Sequence, residues 1–330
     1  MCGRGSCRRR MTVTTLILIA LGLLGFVALA VWAWPAIKEG SREGLAEARA
    51  NIAAERAAAA AAAEATLAPF RADLAALPED VRFGILLGAP LREMLMHGPI
   101  TPLDWAEPGQ PGDDPFWLET FALPEDRHEE ARKALERDWG ITDATTLRER
   151  AAWLLTEGHR EEIARVVSLA TDLAGLPEDE RRRRLDSVGK ELREAVGAAL
   201  EVRARAPRAK TGHGPQAPSR RDRAEAAGDA FDICRATMLA ANGLALGLLE
   251  RDAATELLQA CREGALKRFF GWEEYGDALV MGAEVWVGLA GLRFAGMQRG
   301  WWRKVVDWLL ADPRSPWTRV PWPAEPRDAA

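Results

Sequence analysis

Residues 11–37 form an unbroken uncharged run directly behind Arg8, Arg9 and Arg10. A run of that length limits where the chain can work before anything else is read. Its first part, Met11–Trp34, makes about 36 Å of helix at ~1.5 Å per residue. A bilayer's hydrocarbon core is about 30 Å thick, so this helix crosses with some tilt. Trp32 and Trp34 stand at its far end, where indoles prefer the headgroup layer. Arg4, Arg8, Arg9 and Arg10 crowd the near flank, whereas Lys38, Arg42 and Arg49 on the far flank are interspersed with Glu39, Glu43 and Glu47. Positive charge stays inside, so the N-terminus is expected in the cytoplasm and the body outside, at a cell (inner) membrane. The competing reading is a signal peptide cleaved after Ala28-Leu29-Ala30, but a cleaved apolar region is usually about 7–15 residues long.

The remainder reads as a folded body. Removing the four arginines of the first ten residues from a net charge of −5 leaves −9, which argues against general nucleic-acid binding. Hydrophobic residues at 48% and charged residues at 28% suit a globular core. Cys234 and Cys261 lie in apolar, helix-patterned segments and read either as one disulfide or as two buried thiols. The absence of a Cys-x-x-Cys pattern and the scattering of His97, His128, His159 and His213 offer no metal site. His128 and His159 are expected to be solvated at helix ends. No nucleotide-binding glycine loop and no hydrolase elbow is present, so no cofactor is expected.

Apolar positions recur at helical spacing throughout, and alternating β-branched runs are scarce, so the body is expected to be all-α. Behind the membrane helix, alanine-rich residues 35–68 read as a helical stalk. Leu-Pro-Glu-Asp recurs at 77–80, 123–126 and 176–179; proline suits a first helical position, with the acids at the positive end of the helix dipole. Thr142 or Asp143 caps a helix beyond Gly140, and Asp252 is placed to cap another. The apolar positions from Ala230 to Leu249 are expected to form one buried helix. The segment Ala278–Met297 could pass for a second membrane span, but Glu284, Arg293 and recurring glycines make it a glycine-packed core helix. Trp301–Leu310 reads as a short amphipathic closing helix, and the tryptophans in general as packing residues.

An ordered set of residues resembles a bacterial domain-of-unknown-function family, number twelve sixty-six. It consists of Trp139-Gly140-Ile141-Thr142, Asp232 with Arg235, Trp272-Glu273-Glu274-Tyr275, Gly282 with Trp286, and Asp312-Pro313-Arg314-Ser315-Pro316-Trp317 with Pro321-Trp322. Gly271 departs from the family pattern, where serine is expected, as does the basic Pro-rich insertion at 204–223. The resemblance implies an all-helical domain of unsettled activity over about residues 136–322. The expected organisation is then a basic tail 1–10, membrane helix 11–34, stalk 35–68, lead-in 69–135, compact helical domain 136–322 and tail 323–330.

One constellation of ionisable groups stands out beside apolar sequence: Asp232, Arg235, Glu273 and Glu274, with Tyr275 adjacent. Asp232 and Arg235 are three apart and share a helix face, so a buried structural ion pair is the expected use. Two function classes follow. The first is a membrane-anchored module that binds a protein partner at the envelope without catalysis. The second is an enzyme, of hydrolase type for instance, that uses the four ionisable residues. Converging carboxylates in an open site would favour the enzyme, and a sealed pair the module.

Overall fold

Every regular element of the computed structural model is helical. Among the residues it describes, which are Ala54, 77–97, 118, 119, 121, 123, 125–205, 220–291 and 300–323, no strand occurs. The chain divides into two compact units, Met1–Ala65 and Thr66–Ala330, and the account below concerns the second. The expected membrane helix, nearly all of the stalk and residues 206–219 of the basic insertion lie outside the described residues. Among the described residues no helix is long and apolar enough to cross a membrane.

The helices are α1 Glu79–Leu86, α2 Ala89–His97, α3 His128–Trp139, α4 Ala144–Thr156, α5 Arg160–Ala174 and α6 Glu178–Asp186. They continue with α7 Lys190–Arg205, α8 Arg220–Ala245, α9 Arg251–Arg268, α10 Trp272–Leu289, α11 Trp301–Ala311 and α12 Pro316–Arg319. Local chemistry sets their ends. Pro78 and Pro177 stand at the N-cap, one place earlier than expected, with ψ of 146° and 148°. Their carbonyls accept from Arg82 and Arg181 at 3.0 and 2.9 Å, and the acids that follow occupy the positive first turn. The middle copy opens a 3-10 turn, Glu125–Arg127, in front of α3. Gly140, at φ 65°, closes α3 in the left-handed region. Asp143 then caps α4 in a reciprocal box with Thr146. Asp252 does not cap α9; Glu250 holds that place, and Asp252 sits in the first turn facing the dipole.

Helix α8 is the axis of the body, packed against α4, α5, α9 and α10 and touched by α1 and α2. Surrounded on so many sides, it buries Ala227, Ala230, Phe231, Cys234, Leu239 and Ala240. It stops at Ala245, earlier than expected, because Gly247 at φ 70° turns the chain. Leu248 and Leu249 then donate back to the Gly243 carbonyl at 2.8 and 3.0 Å. Helix α10 runs against α7 and α8 at backbone range. A Cβ at Gly282 would come 2.1 Å from the Ala227 carbonyl oxygen, and one at Gly288 2.5 Å from Ala195 Cα. That close approach is why the glycines of this apolar stretch pack a core rather than cross a membrane.

The aromatic residues near the C-terminus lock α10, α12 and α1 together. Trp272 stacks on Trp317 with centroids 4.7 Å apart, and Phe83 and Trp322 each lie about one ring away from Trp272. Each buried polar tip finds a carbonyl: Trp272 Nε1 donates to Val320, Trp317 Nε1 to Leu86 and the Tyr275 hydroxyl to Leu87, at 2.8, 3.0 and 2.7 Å. Helix α11 is therefore not the closing element, since α12 follows under a Ser315 cap. Of the two readings for the cysteines, the structure takes the second: Cys234 and Cys261 are free and buried. Burial pushes both thiols up to about 12.

The glycine contacts predict opposite effects for the same substitution. Gly282→Ala should destabilise the full chain by about 1–3 kcal/mol, since overpacking forces the backbones apart. Gly197→Ala in α7, where an added Cβ meets nothing within 4 Å, should stabilise by about 0.5–1 kcal/mol. Urea unfolding of both variants checks the pair; equal midpoints would contradict the close packing of α10 on α8.

Candidate functional site

Asp232 projects from the middle of α8 and is 0% exposed. Its carboxylate faces the start of α5. Oδ2 accepts the His159 backbone N–H at 2.7 Å, and Oδ1 lies 2.9 Å from His159 Nδ1. His159 is the N-cap residue of α5, so Asp232 supplies the anion that this helix end favours. The approach is possible because residue 158 is glycine. Gly158 has φ 54°, and a Cβ there would lie 2.1 Å from Asp232 Oδ2. Two residues of one turn thus shape the carboxylate's seat: Gly158 by having no side chain, His159 by giving two donors.

A carboxylate accepts only, so Nδ1 is the ring's donor and Nε2 is left as its acceptor. Arg235, one turn along α8 from Asp232, places Nη1 3.3 Å from Nε2. The same Nη1 is 3.1 Å from Nδ1, so it is nearly equidistant from both ring nitrogens and lies against the face of the imidazole, off the outward lone-pair direction of Nε2. Asp232 and Arg235 are therefore not the direct ion pair expected from their spacing. The His159 imidazole stands between them, and its side chain is only 18% exposed. The expectation of a solvated His159 is corrected for the same reason: α8 offers it a carboxylate on one side and a guanidinium on the other.

Aromatic rings enclose these three side chains. The Arg235 guanidinium lies 4.1 Å from the centroid of Trp139 and 4.9 Å from those of Phe231 and Trp286. Trp153 meets His159 edge-on at 4.9 Å, and Arg150 lies over Trp153 at 5.3 Å. Phe231 is buried, while Trp139, Trp153, Trp286, Arg150 and Arg235 are each half-buried and reach the surface. Burial pushes Arg235 down to about 10. Beside this group, Asp229 on the same helix joins Arg160 and Arg268 at 3.5 and 2.9 Å. Burial raises the Asp229 pKa more than the two arginines lower it.

The structure does not bring Glu273 and Glu274 to this place. They begin α10, and Trp286, which touches Arg235, comes 13 residues after Glu273 on the same helix, or about 20 Å away. Glu273 is exposed. Glu274 accepts the Phe270 N–H at 2.8 Å and so fixes a helix start. Tyr275 belongs to the aromatic lock described above. The other motif residues serve architecture. Asp312 binds Arg314 and Trp308, and the Arg314 hydrogen bond holds its carboxyl well below the usual range. Pro316 opens α12, and Pro313 lies in the exposed turn before it.

Of the motif residues, Trp139, Asp232, Arg235 and Trp286 thus converge, and Arg150, Trp153, Gly158, His159 and Phe231 join them unannounced. The pattern Trp153-x-x-x-x-Gly158-His159 at a helix-to-helix turn is the signal that could have located them. Among the described residues, no group of three or more His, Cys, Asp or Glu is placed to hold a metal ion. The arrangement can seal a carboxylate and present a stacked cation at an aromatic surface.

A family model described as "Protein of unknown function (DUF1266)" matches residues 134–322. No curated protein and no solved structure matches the chain.

Removing the carboxylate should be felt in folding. Asp232→Ala leaves the α5 start and the enclosed Arg235 uncompensated and should cost about 3–5 kcal/mol. Asp232→Asn keeps an acceptor for the His159 N–H and should cost less, about 1–3 kcal/mol. Thermal unfolding of the full chain measures both; an unchanged midpoint in Asp232→Ala would refute the capping role.

Proposed function

The chain belongs to the family described as protein of unknown function (DUF1266), and we propose that it works as a membrane-anchored, non-enzymatic protein-interaction module at a bacterial cell envelope. The observation that carries this reading is the half-buried patch of Trp139, Trp153 and Trp286 around Arg235. Tryptophan and arginine dominate the energetic centres of protein interfaces, because each offers a large contact area with a directional polar tip. Beneath the patch each oxygen of the Asp232 carboxylate is engaged by His159. The imidazole it orients lies against the Arg235 guanidinium and is only 18% exposed.

The enzyme reading is second. One observation favours it: a buried carboxylate orienting a histidine through Nδ1 is the geometry of a general base. Against it stand the guanidinium of Arg235 lying on the imidazole and the distance of Glu273 and Glu274. The anchor is residues 11–34, with the N-terminus in the cytoplasm and the body outside, on the flanking arginines and the length of the apolar run. A signal peptide cleaved near Ala30 is the alternative for that segment.

Two measurements test the proposal. Carbonate-washed membranes should retain the full-length chain; a mature soluble chain beginning near Val31 would replace anchoring with secretion. A photo-crosslinking residue at position 153 should trap a partner protein in cells, while one at Arg182, exposed on α6, should not. Equal trapping at the two positions, or none at 153, would overturn the patch as a contact surface.

A further inference from the structure

Two cations share the aromatic patch without a direct ion pair. Arg150 rests on Trp153 and Arg235 on Trp139, Phe231 and Trp286. Among the described residues neither guanidinium has a carboxylate in ion-pairing range. Asp232, the nearest candidate, gives its oxygens to His159. Burial lowers the Arg235 pKa, the Asp232 charge opposes that, and the Arg150 charge adds a smaller push downward, so the two guanidinium groups feel each other. Elsewhere the body pairs its arginines readily: Arg82 and Arg319 share Glu119, Arg268 takes Glu225 and Asp229, and Arg303 takes Asp277. In a body of net charge −9 outside the first ten residues, two neighbouring stacked arginines with no direct carboxylate partner are placed to take one from outside.

We propose that the Arg150–Arg235 notch binds a carboxylate of a polypeptide partner, at its C-terminus or on an acidic side chain, with an apolar neighbour of that carboxylate seated on Trp139, Trp153 and Trp286. The inference rests on reading the patch as a contact surface and names what it recognises. The chemistry fits on three counts. The faces of the Arg235 guanidinium are covered by rings, so its remaining donors lie along its edge, and an edge of two parallel N–H groups matches the two oxygens of a carboxylate. Stacking holds that edge in place before the ligand arrives, so little rotamer entropy is lost on binding. The indoles around it exclude water, which strengthens a charge-assisted hydrogen bond. His159 fixes the depth of the notch by holding one guanidinium nitrogen against its ring.

The probe is N-acetylphenylalanine, which presents a C-terminal carboxylate beside an aromatic side chain. N-acetylphenylalaninamide has the same shape without the charge. Thermal shift and tryptophan fluorescence of the full chain in detergent are followed against each, against inorganic phosphate, and against vesicles of anionic phospholipid. The acid should bind saturably with a dissociation constant in the millimolar range usual for a fragment. The amide should bind at least about tenfold more weakly, the loss of a charge-assisted pair. Arg235→Gln should abolish the preference for the acid. Should that variant fail to fold, Arg150→Gln at the rim should reduce it several-fold instead. Acid and amide binding alike, no saturable binding of the acid, or tighter binding of phosphate or vesicles would each overturn the carboxylate assignment. Failure here is separable from failure of the contact surface. If position 153 still crosslinks a partner when Arg235 is Gln, the surface stands and the carboxylate does not.

Discussion

A carboxylate kept from water has to be answered by donors, and the position of Asp232 shows how much of a fold can be organised by giving that answer. Its partners are the backbone N–H and ring of one residue at a helix start. Each charge-assisted bond of this kind is worth about 1.5–3 kcal/mol, and the helix dipole adds up to ~2 kcal/mol in a partly buried setting. Neither gain exists unless α8 and the start of α5 touch, which Gly158 permits and Gly228 extends: a Cβ at Gly228 would come 2.4 Å from Arg160 Cα. The α4–α5 turn is therefore clamped to the central helix at one point. The residues brought to that point, Trp153 from one side and Trp139 and Trp286 from others, become the walls of the candidate site.

The same device appears again on α10, two residues before Trp286. Glu284, 3% exposed in the middle of α10, accepts the Gly300 N–H at 2.6 Å and thereby faces the start of α11. An acidic residue in the interior of an apolar helix would be costly in isolation. Here it is the anion that a neighbouring helix end asks for. Asp232 and Glu284 thus do for α5 and α11 what Asp143 does for α4 within its own sequence. The local cap specifies one helix start; the long-range caps specify which helices meet.

That distinction explains what could be read from residues alone. Asp143 and Gly140 are local signals that located helix ends, while the apolar spacing found α8 but ran four residues past its end at Ala245. The glycine spacing of α10 was legible because close packing leaves a compositional trace. The aromatic run from Trp272 to Trp322 carried the family likeness. The partner of Asp232 was not legible. His159 lies 73 positions away, and a histidine at a helix start among charged neighbours looks solvated unless the chain is known to return there. For the same reason Glu273 and Glu274, adjacent in composition to the buried helix, looked like partners of Asp232. Helix geometry puts them a helix length from it. Sequence shows which residues are out of place in their segment, but the fold decides which of them meet.

The charges that remain without partners are the ones that structure does not explain. An arginine that only filled space between Trp139 and Trp286 could be replaced by a leucine or methionine with no desolvation cost, and buried ionic groups are often no better for stability than apolar ones of similar volume. Placing Arg150 near Arg235 adds repulsion to that cost. Stability alone therefore does not account for the pair. Where local choices agree with the fold nearly everywhere, the place where they disagree is where function is expected. In this body α4, α5 and α11 each start under a carboxylate, Trp272 and Trp317 pair their indole nitrogens, and the buried Asp232 and Glu284 are seated. The stacked Arg150 and Arg235 stand apart as cations on an aromatic surface with no direct carboxylate partner among the described residues, and an arriving anion would supply one.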